Sequence, residues 1–196
     1  MTNNFNVPDF LDIGADVQKA AQSALQSGQQ LVAPDTAKVT VAKDGGTYSR
    51  WTEGATVEKA WRETTKSGLM CAVVQLNIRV GYPNEGKRVW ARHMLNLSIL
   101  SGTMSADEFP SGHVYMNHNS INAISTLLAA TGFQPEQGGL NGRLLNMVFP
   151  IKDQPGSDTP LRGKSVVVNL CEAPNKGPDA RTPTRVNVES YLPEAV

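Results

Sequence analysis

Between residues 70 and 95, two runs of alternating polarity set cationic, amide and aromatic side chains at every second position. In the first, Met70, Ala72, Val74, Leu76, Ile78 and Val80 alternate with Cys71, Val73, Gln75, Asn77 and Arg79. In the second, Val89, Ala91 and Leu95 alternate with Arg88, Trp90, Arg92 and Met94. A period of two sends alternate side chains to opposite faces of a sheet. One face is then a plain apolar core, and the other carries Gln75, Asn77 and Arg79 beside Arg88, Trp90 and Arg92. Guanidinium groups next to an indole are what a single strand of nucleic acid requires, charge for its phosphates and a ring plane for its bases.

The two runs are joined by Gly81-Tyr82-Pro83-Asn84-Glu85-Gly86, a strand–turn–strand signal. Around them lies a local basic strip: Lys59, Arg62, Lys66, Arg79, Lys87, Arg88 and Arg92, against only Glu63 and Glu85 between residues 59 and 93. The whole chain holds 18 Lys+Arg and 18 Asp+Glu, so bulk charge points to no class of partner. A basic strip on a neutral protein can still follow a polyanion; the plainer alternative is a solvated face. Lys66 sits in the turn TTKSG, while Lys59, Trp61 and Arg62 share a first strand whose inward face parity does not assign. Tyr82 in the turn and Trp51 beside Arg50 are further candidate stacking rings. Two structural alternatives stand open: Trp51 as a cap on the end of the core, and Trp90 as a cover for one end of the domain.

Other chemistries find little support. A metal-dependent nuclease needs clustered carboxylates, and Asp107-Glu108 is the one tight acidic pair in mid-chain. No Gly-rich phosphate loop or Ser/His/Asp or Cys/His set is apparent, so neither an enzyme nor a cofactor is expected. His113 and His118 lack the neighbouring Cys or carboxylate of a metal site. Cys71 and Cys171 each fall in an expected strand without paired spacing, which predicts buried reduced thiols and a cytoplasmic location. The start MTNNFNVPDFLDIG has no basic, continuously apolar leader, and no apolar run is long enough to span a membrane.

At 196 residues with 40% hydrophobic composition, the chain predicts one globular domain with appendages. Residues 1–14 are polar and expected to be mobile; Ala15–Val32 reads as a helix, giving an N-terminal arm over 1–34 and a domain over 35–196. Lys38–Gly54 reads as a short strand, a Gly-Gly turn and a polar segment holding Tyr48, Arg50 and Trp51. Three principal strands follow, over Thr56–Thr64, 70–80 and 88–97. A long loop over 98–118 leads to a helix capped by Asn119 or Ser120 and by Gly132. A second insertion spans 134–160, with a possible strand at Leu144–Asp153. Two final strands have Val166, Val168 and Leu170, then Val186 and Val188, on their core sides. Strand, strand, strand, helix, strand, strand is the order of a five-stranded OB barrel with one short helix between strands 3 and 4, whose second and third strands form the ligand face. The polar face falls on those two strands.

The run ETTKSG–LMCAVVQLNIRV–GYPNEGKRVWARHMLNLS, the helix ending LLAATGF, then LRGKSVVVNL and RVNVESYLP together resemble a family of bacteriophage single-stranded-DNA-binding proteins. The likeness covers roughly residues 56–193, interrupted near 98–118 and 134–160. It implies an OB-fold, non-enzymatic protein of phage DNA replication or recombination that binds single strands without sequence preference. Carried position by position, it includes Lys66, Gly68, Gly86, Arg88, Val89, Trp90, Gly163 and Lys164. The nucleic-acid-binding set expected on both grounds is Trp51, Arg62, Lys66, Asn77, Arg79, Tyr82, Lys87, Arg88, Trp90 and Arg92. The expected partners are single-stranded DNA, with RNA as an alternative, and a phage polymerase, helicase or recombinase; the protein would be a monomer or homodimer off the membrane. The terminus ESYLPEAV departs from the acidic tail through which many single-strand-binding proteins recruit enzymes. A protein-interaction or assembly module is the competing reading, since fold does not fix function.

Overall fold

The computed structural model describes residues 12–13, 40–41, 47–100, 112–133, 140–154, 158–174 and 184–194. Its frame is a five-stranded antiparallel sheet of β1 (Arg50–Thr64), β2 (Met70–Ile78), β3 (Arg88–Leu95), β4 (Ser165–Pro174) and β5 (Thr184–Leu192). The strands pair in the order β3-β2-β1-β4-β5. Two helices accompany it, α1 (Gly112–Ala130) and α2 (Gly142–Val148), with a four-residue helical turn at Leu97–Leu100. The chain is therefore mainly β. Two-residue pairings join Thr40–Val41 to Thr47–Tyr48, as the Gly-Gly turn implies, and Asp12–Ile13 to Leu140–Asn141. The latter gives part of the N-terminal stretch, expected to be mobile, a partner. The expected helix over 15–32 lies outside the described residues.

β1 starts six residues earlier than its apolar pattern suggests, because its two halves pair with different strands. Ala55–Thr64 runs beside β2, whereas Arg50–Thr56 runs beside β4. A register shift between Val57 and Lys59 lies within the β2 ladder, just past the last β4 pair at Thr56. An extra residue in one strand reverses which parity points inward. Upstream, Ala55 and Val57 are buried; downstream, Ala60 and Arg62 are. Past the β4 ladder, Val57 stays hydrogen-bonded to Gly163 and Lys164, so its backbone groups remain satisfied.

The core forms where the sequence places it on β2, with Met70, Ala72, Val74, Leu76 and Ile78 all buried. Val80 is the exception: it is 81% exposed, because the strand ends at Ile78 and the chain turns at once. Ala91 and Leu95 of β3 and Val166, Val168 and Leu170 of β4 complete the sheet side. Val188 packs on this core, but Val186 is 40% exposed, since β5 is an edge strand with a neighbour on one side only.

α1 lies across β3 and β5 and contributes Ile121, Ile124, Leu127 and Leu128 to the core. It begins at Gly112, well before the expected cap at Asn119 or Ser120. The cause is Asn117, which is buried; its side chain accepts from Asn96 N (2.6 Å) and donates to Asn96 O (3.1 Å), tying the helix to the end of β3. Its other end is as expected. Gly132 takes φ 71°, and Phe133 N and Gly132 N donate to Leu128 O and Ala129 O, a Schellman cap. The possible strand after Leu144 is instead α2. Leu144, Leu145 and Val148 recur at helical spacing, and Asn141 Oδ1 caps Leu144 N at 2.9 Å.

β3 and β5 are the two ends of the sheet, which is open: among the described residues they share no backbone pairing. A side-chain contact joins them instead. His93 Nε2 lies 2.9 Å from Tyr191 Oη, with the rings edge-on at 5.8 Å, both buried beneath α1. Burial lowers the His93 pKa to about 4 and pushes that of Tyr191 upward. The unfolded chain therefore binds a proton near pH 6.5 that the folded chain refuses until about pH 4. This contribution to stability is complete above about pH 6.5, declines as pH falls toward 4, and totals on the order of 3 kcal/mol. Denaturant unfolding at pH 7 and at pH 4.5 should show a larger loss for the wild type than for His93→Gln. Equal losses would assign the pH dependence to other groups.

Candidate nucleic-acid interface

The register on the outer face of β1, β2 and β3 fixes which side chains are neighbours. Thr56, Asn77 and Arg88 form one cross-strand row; Lys59, Gln75 and Trp90 form the next; Trp61, Val73 and Arg92 form the third. Asn77, Arg88, Trp90 and Arg92 thus meet on one surface, as alternation requires. Trp90 is 49% exposed, Arg88 and Arg92 are exposed, and Lys87 stands at the end of the face with Nζ 2.8 Å from Asn84 Oδ1. Lys66 is exposed in the β1–β2 turn at the opposite end.

Lys59 and Trp61 belong to this face as well. They escaped assignment because the shift at Val57/Lys59 resets parity within β1, and nothing in the sequence marks it. Lys152 Nζ stands 5.8 Å from the centre of the Trp61 ring and 3.6 Å from Glu63, so Lys152 borders the same surface.

Arg79 and Tyr82 continue the face over the first half of β1. Both rest on Gly54, where an added Cβ would stand 2.5 Å from Tyr82 Cε2 and 2.6 Å from Arg79 Nη2. The Arg79 guanidinium lies 6.0 Å from the Tyr82 ring centre and pairs with Glu194. Arg88 pairs with Glu58 at 3.0 Å, and Glu58 also accepts from Gln75. Two of the face's guanidinium groups therefore have carboxylate partners, one from just upstream of the basic strip and one from the C-terminal segment. Among the described residues, Lys59 and Arg92 have no ion-pair partner.

Two expected site residues lie elsewhere. Arg62 is on the inner side of β1 and only 5% exposed; its Nη1 donates to Phe149 O (2.8 Å) and Asn146 O (3.3 Å), at the C-terminal end of α2. Burial lowers its pKa. The bulge turned it inward, and it caps a helix rather than meeting a phosphate. Trp51 also turns to the core side, half-buried, and its indole N–H donates to Glu53 at 2.6 Å. Glu53, fully buried, also accepts from the backbone and side-chain amides of Asn84. A buried carboxylate with several donors fixes both Trp51 and the β2–β3 loop. The chain matches no protein-family model and no curated protein.

The two kinds of arginine should separate on mutation. Arg62→Ala strips charge-assisted bonds from buried carbonyls and should cost roughly 1.5–3 kcal/mol in denaturant unfolding. Arg88→Ala removes a pair between an exposed guanidinium and a half-buried carboxylate that keeps its Gln75 bond, and should cost about 1 kcal/mol or less. Similar losses would contradict the division.

Proposed function

We propose that the protein binds single-stranded DNA without sequence preference, using the outer face of β1–β3 of a partly open OB-type barrel, and that it serves phage DNA replication or recombination as a non-enzymatic component. The observation carrying this reading is the cross-strand arrangement of the exposed Lys59, Arg88, Trp90 and Arg92 with the half-buried Asn77 on one face. The barrel reading is supported by a first strand shared between β2 and β4, by the His93–Tyr191 contact between the two sheet ends, and by α1, which follows β3 and packs on both ends.

The mechanism follows from the groups present. Lys59, Lys87 and Arg92 meet phosphates directly, and Arg88 does so by exchanging Glu58. Trp90 stacks on a base at about 1–3 kcal/mol, whatever the base. Phosphate contacts displace counterions, so affinity falls with salt by about 0.7 log units per contact and log unit of salt on a single strand. RNA would meet the same chemistry, and comparison of the two polymers decides between them.

One observation favours the alternative of a protein-binding module. The pairs Arg88–Glu58 and Arg79–Glu194 lower the positive charge of the face. Titration of fluorescein-labelled dT oligonucleotide at low and moderate salt, with a duplex control, tests the choice. Binding selective for the single strand should show a log–log salt slope of roughly −2 to −3, for three or four contacts. Trp90→Ala should weaken it by about 1–3 kcal/mol, and Arg92→Ala should flatten the slope by about 0.7. Absence of binding at low salt would reject the reading in favour of a protein partner.

A further inference from the structure

Around the exposed edge of β3 from the proposed face, a cleft of about 340 Å³ opens between β3, the start of β1 and the β4–β5 pair. Trp51, Val89, Leu170 and Val186 give it apolar lining, and the exposed Trp90, Lys87 and Arg88 line it as well. No carboxylate is among the described residues lining it. Its walls are also held from behind. The buried Glu53 side chain fixes the Trp51 indole at 2.6 Å and accepts from Asn84 N at 3.2 Å, and Asn84 lines the cleft too.

We infer that this cleft takes one nucleobase of the bound strand, which leaves the outer face over the β3 edge and inserts beside Trp51. The inference rests on the single-strand-binding reading and adds a subsite to it. Three features select a base over an apolar side chain from a protein. An apolar slot of this size lined by indole matches a planar heterocycle. The exposed Lys87 and Arg88 in its lining supply cations for the attached phosphate. Trp90 and Arg88 belong to both the face and the cleft, so a strand stacked on Trp90 is already at the entrance. Such a turn around an edge strand uses the gap that unpaired β3 and β5 leave open.

Val186 is the residue to change, because it lines the cleft, is partly exposed on an edge strand and lies outside the Trp90 face. Val186→Trp fills the slot without adding charge; Met147→Trp adds the same bulk at an exposed position of α2 that does not line the cleft. Both are titrated with labelled dT oligonucleotide beside the wild type, and thermal unfolding verifies that each is folded. Loss of one base contact should weaken Val186→Trp by about 5- to 150-fold, with Met147→Trp within about 2-fold of wild type. Should Val186→Trp not fold, Val186→Gln, which places a polar group in the slot, should weaken binding in the same direction. Wild-type binding that the folded filled variant leaves unchanged would overturn the inference while sparing the face. Failure of the wild type itself to bind would overturn both.

Discussion

β1 cannot satisfy its backbone with one neighbour on each side along its whole length, and the sheet is arranged around that constraint. Its first half bonds β4, its second half bonds β2, and only Ala55 and Thr56 pair with both. Every strand must find partners for its N–H and C=O groups, so the two hairpins of the sheet are offset along β1. The offset leaves β3 and β5 as ends that meet through His93 and Tyr191 under α1. The register shift at Val57/Lys59 then decides the fate of three functional-looking residues within four positions. Lys59 and Trp61 point out to the face and Arg62 points in to the end of α2.

The contrast among the arginines shows how little residue type says about role. Arg62, Arg79, Arg88 and Arg92 all lie in one basic strip of sequence. Arg62 is consumed by helix carbonyls, where a buried guanidinium is held by partners it cannot leave cheaply. Arg79 lies flat over Gly54 against Tyr82, a contact that only a residue without a Cβ permits beneath it. Arg88 is exposed, and its partner Glu58, half-buried, keeps a second bond from Gln75 when a phosphate takes its place. Arg92 is exposed with no carboxylate at ion-pair distance among the described residues.

The alternation in β2 and β3 was legible because their pairing keeps one register from Met70 to Leu95, although Cys71 and Val73 are buried on the outer parity as well, and the cross-strand pairs Asn77–Arg88 and Gln75–Trp90 follow from a turn with defined glycines. β1 was legible only in part. A bulge has no sequence signature in VEKAW, and parity cannot be carried across it. The early start of α1 was hidden because Asn117 and Ser120 are polar yet buried, against the usual trend. α2 was hidden because seven residues seldom reveal a period, and its cap by Arg62 comes from 80 positions or more away. Glu53 was silent for the same reason: its donors, apart from Trp51, come from a distant loop.

A protein of zero net charge can still hold a polyanion if its cations are distributed by geometry rather than by number. Formal neutrality here is the sum of carboxylates that serve structure, such as Glu53, carboxylates paired with cations at the surface, such as Glu58, and others remote from the face. What a phosphate senses within a Debye length of about 8–10 Å is the local set, and on β1–β3 that set includes Lys59, Lys87 and Arg92 around one indole. The Glu58–Arg88 pair supplies a further cation on demand, at the cost of leaving a half-buried carboxylate with Gln75. A face so composed would be weak for any one contact, indifferent to base identity and sensitive to salt, which is the profile that coating an arbitrary single strand requires.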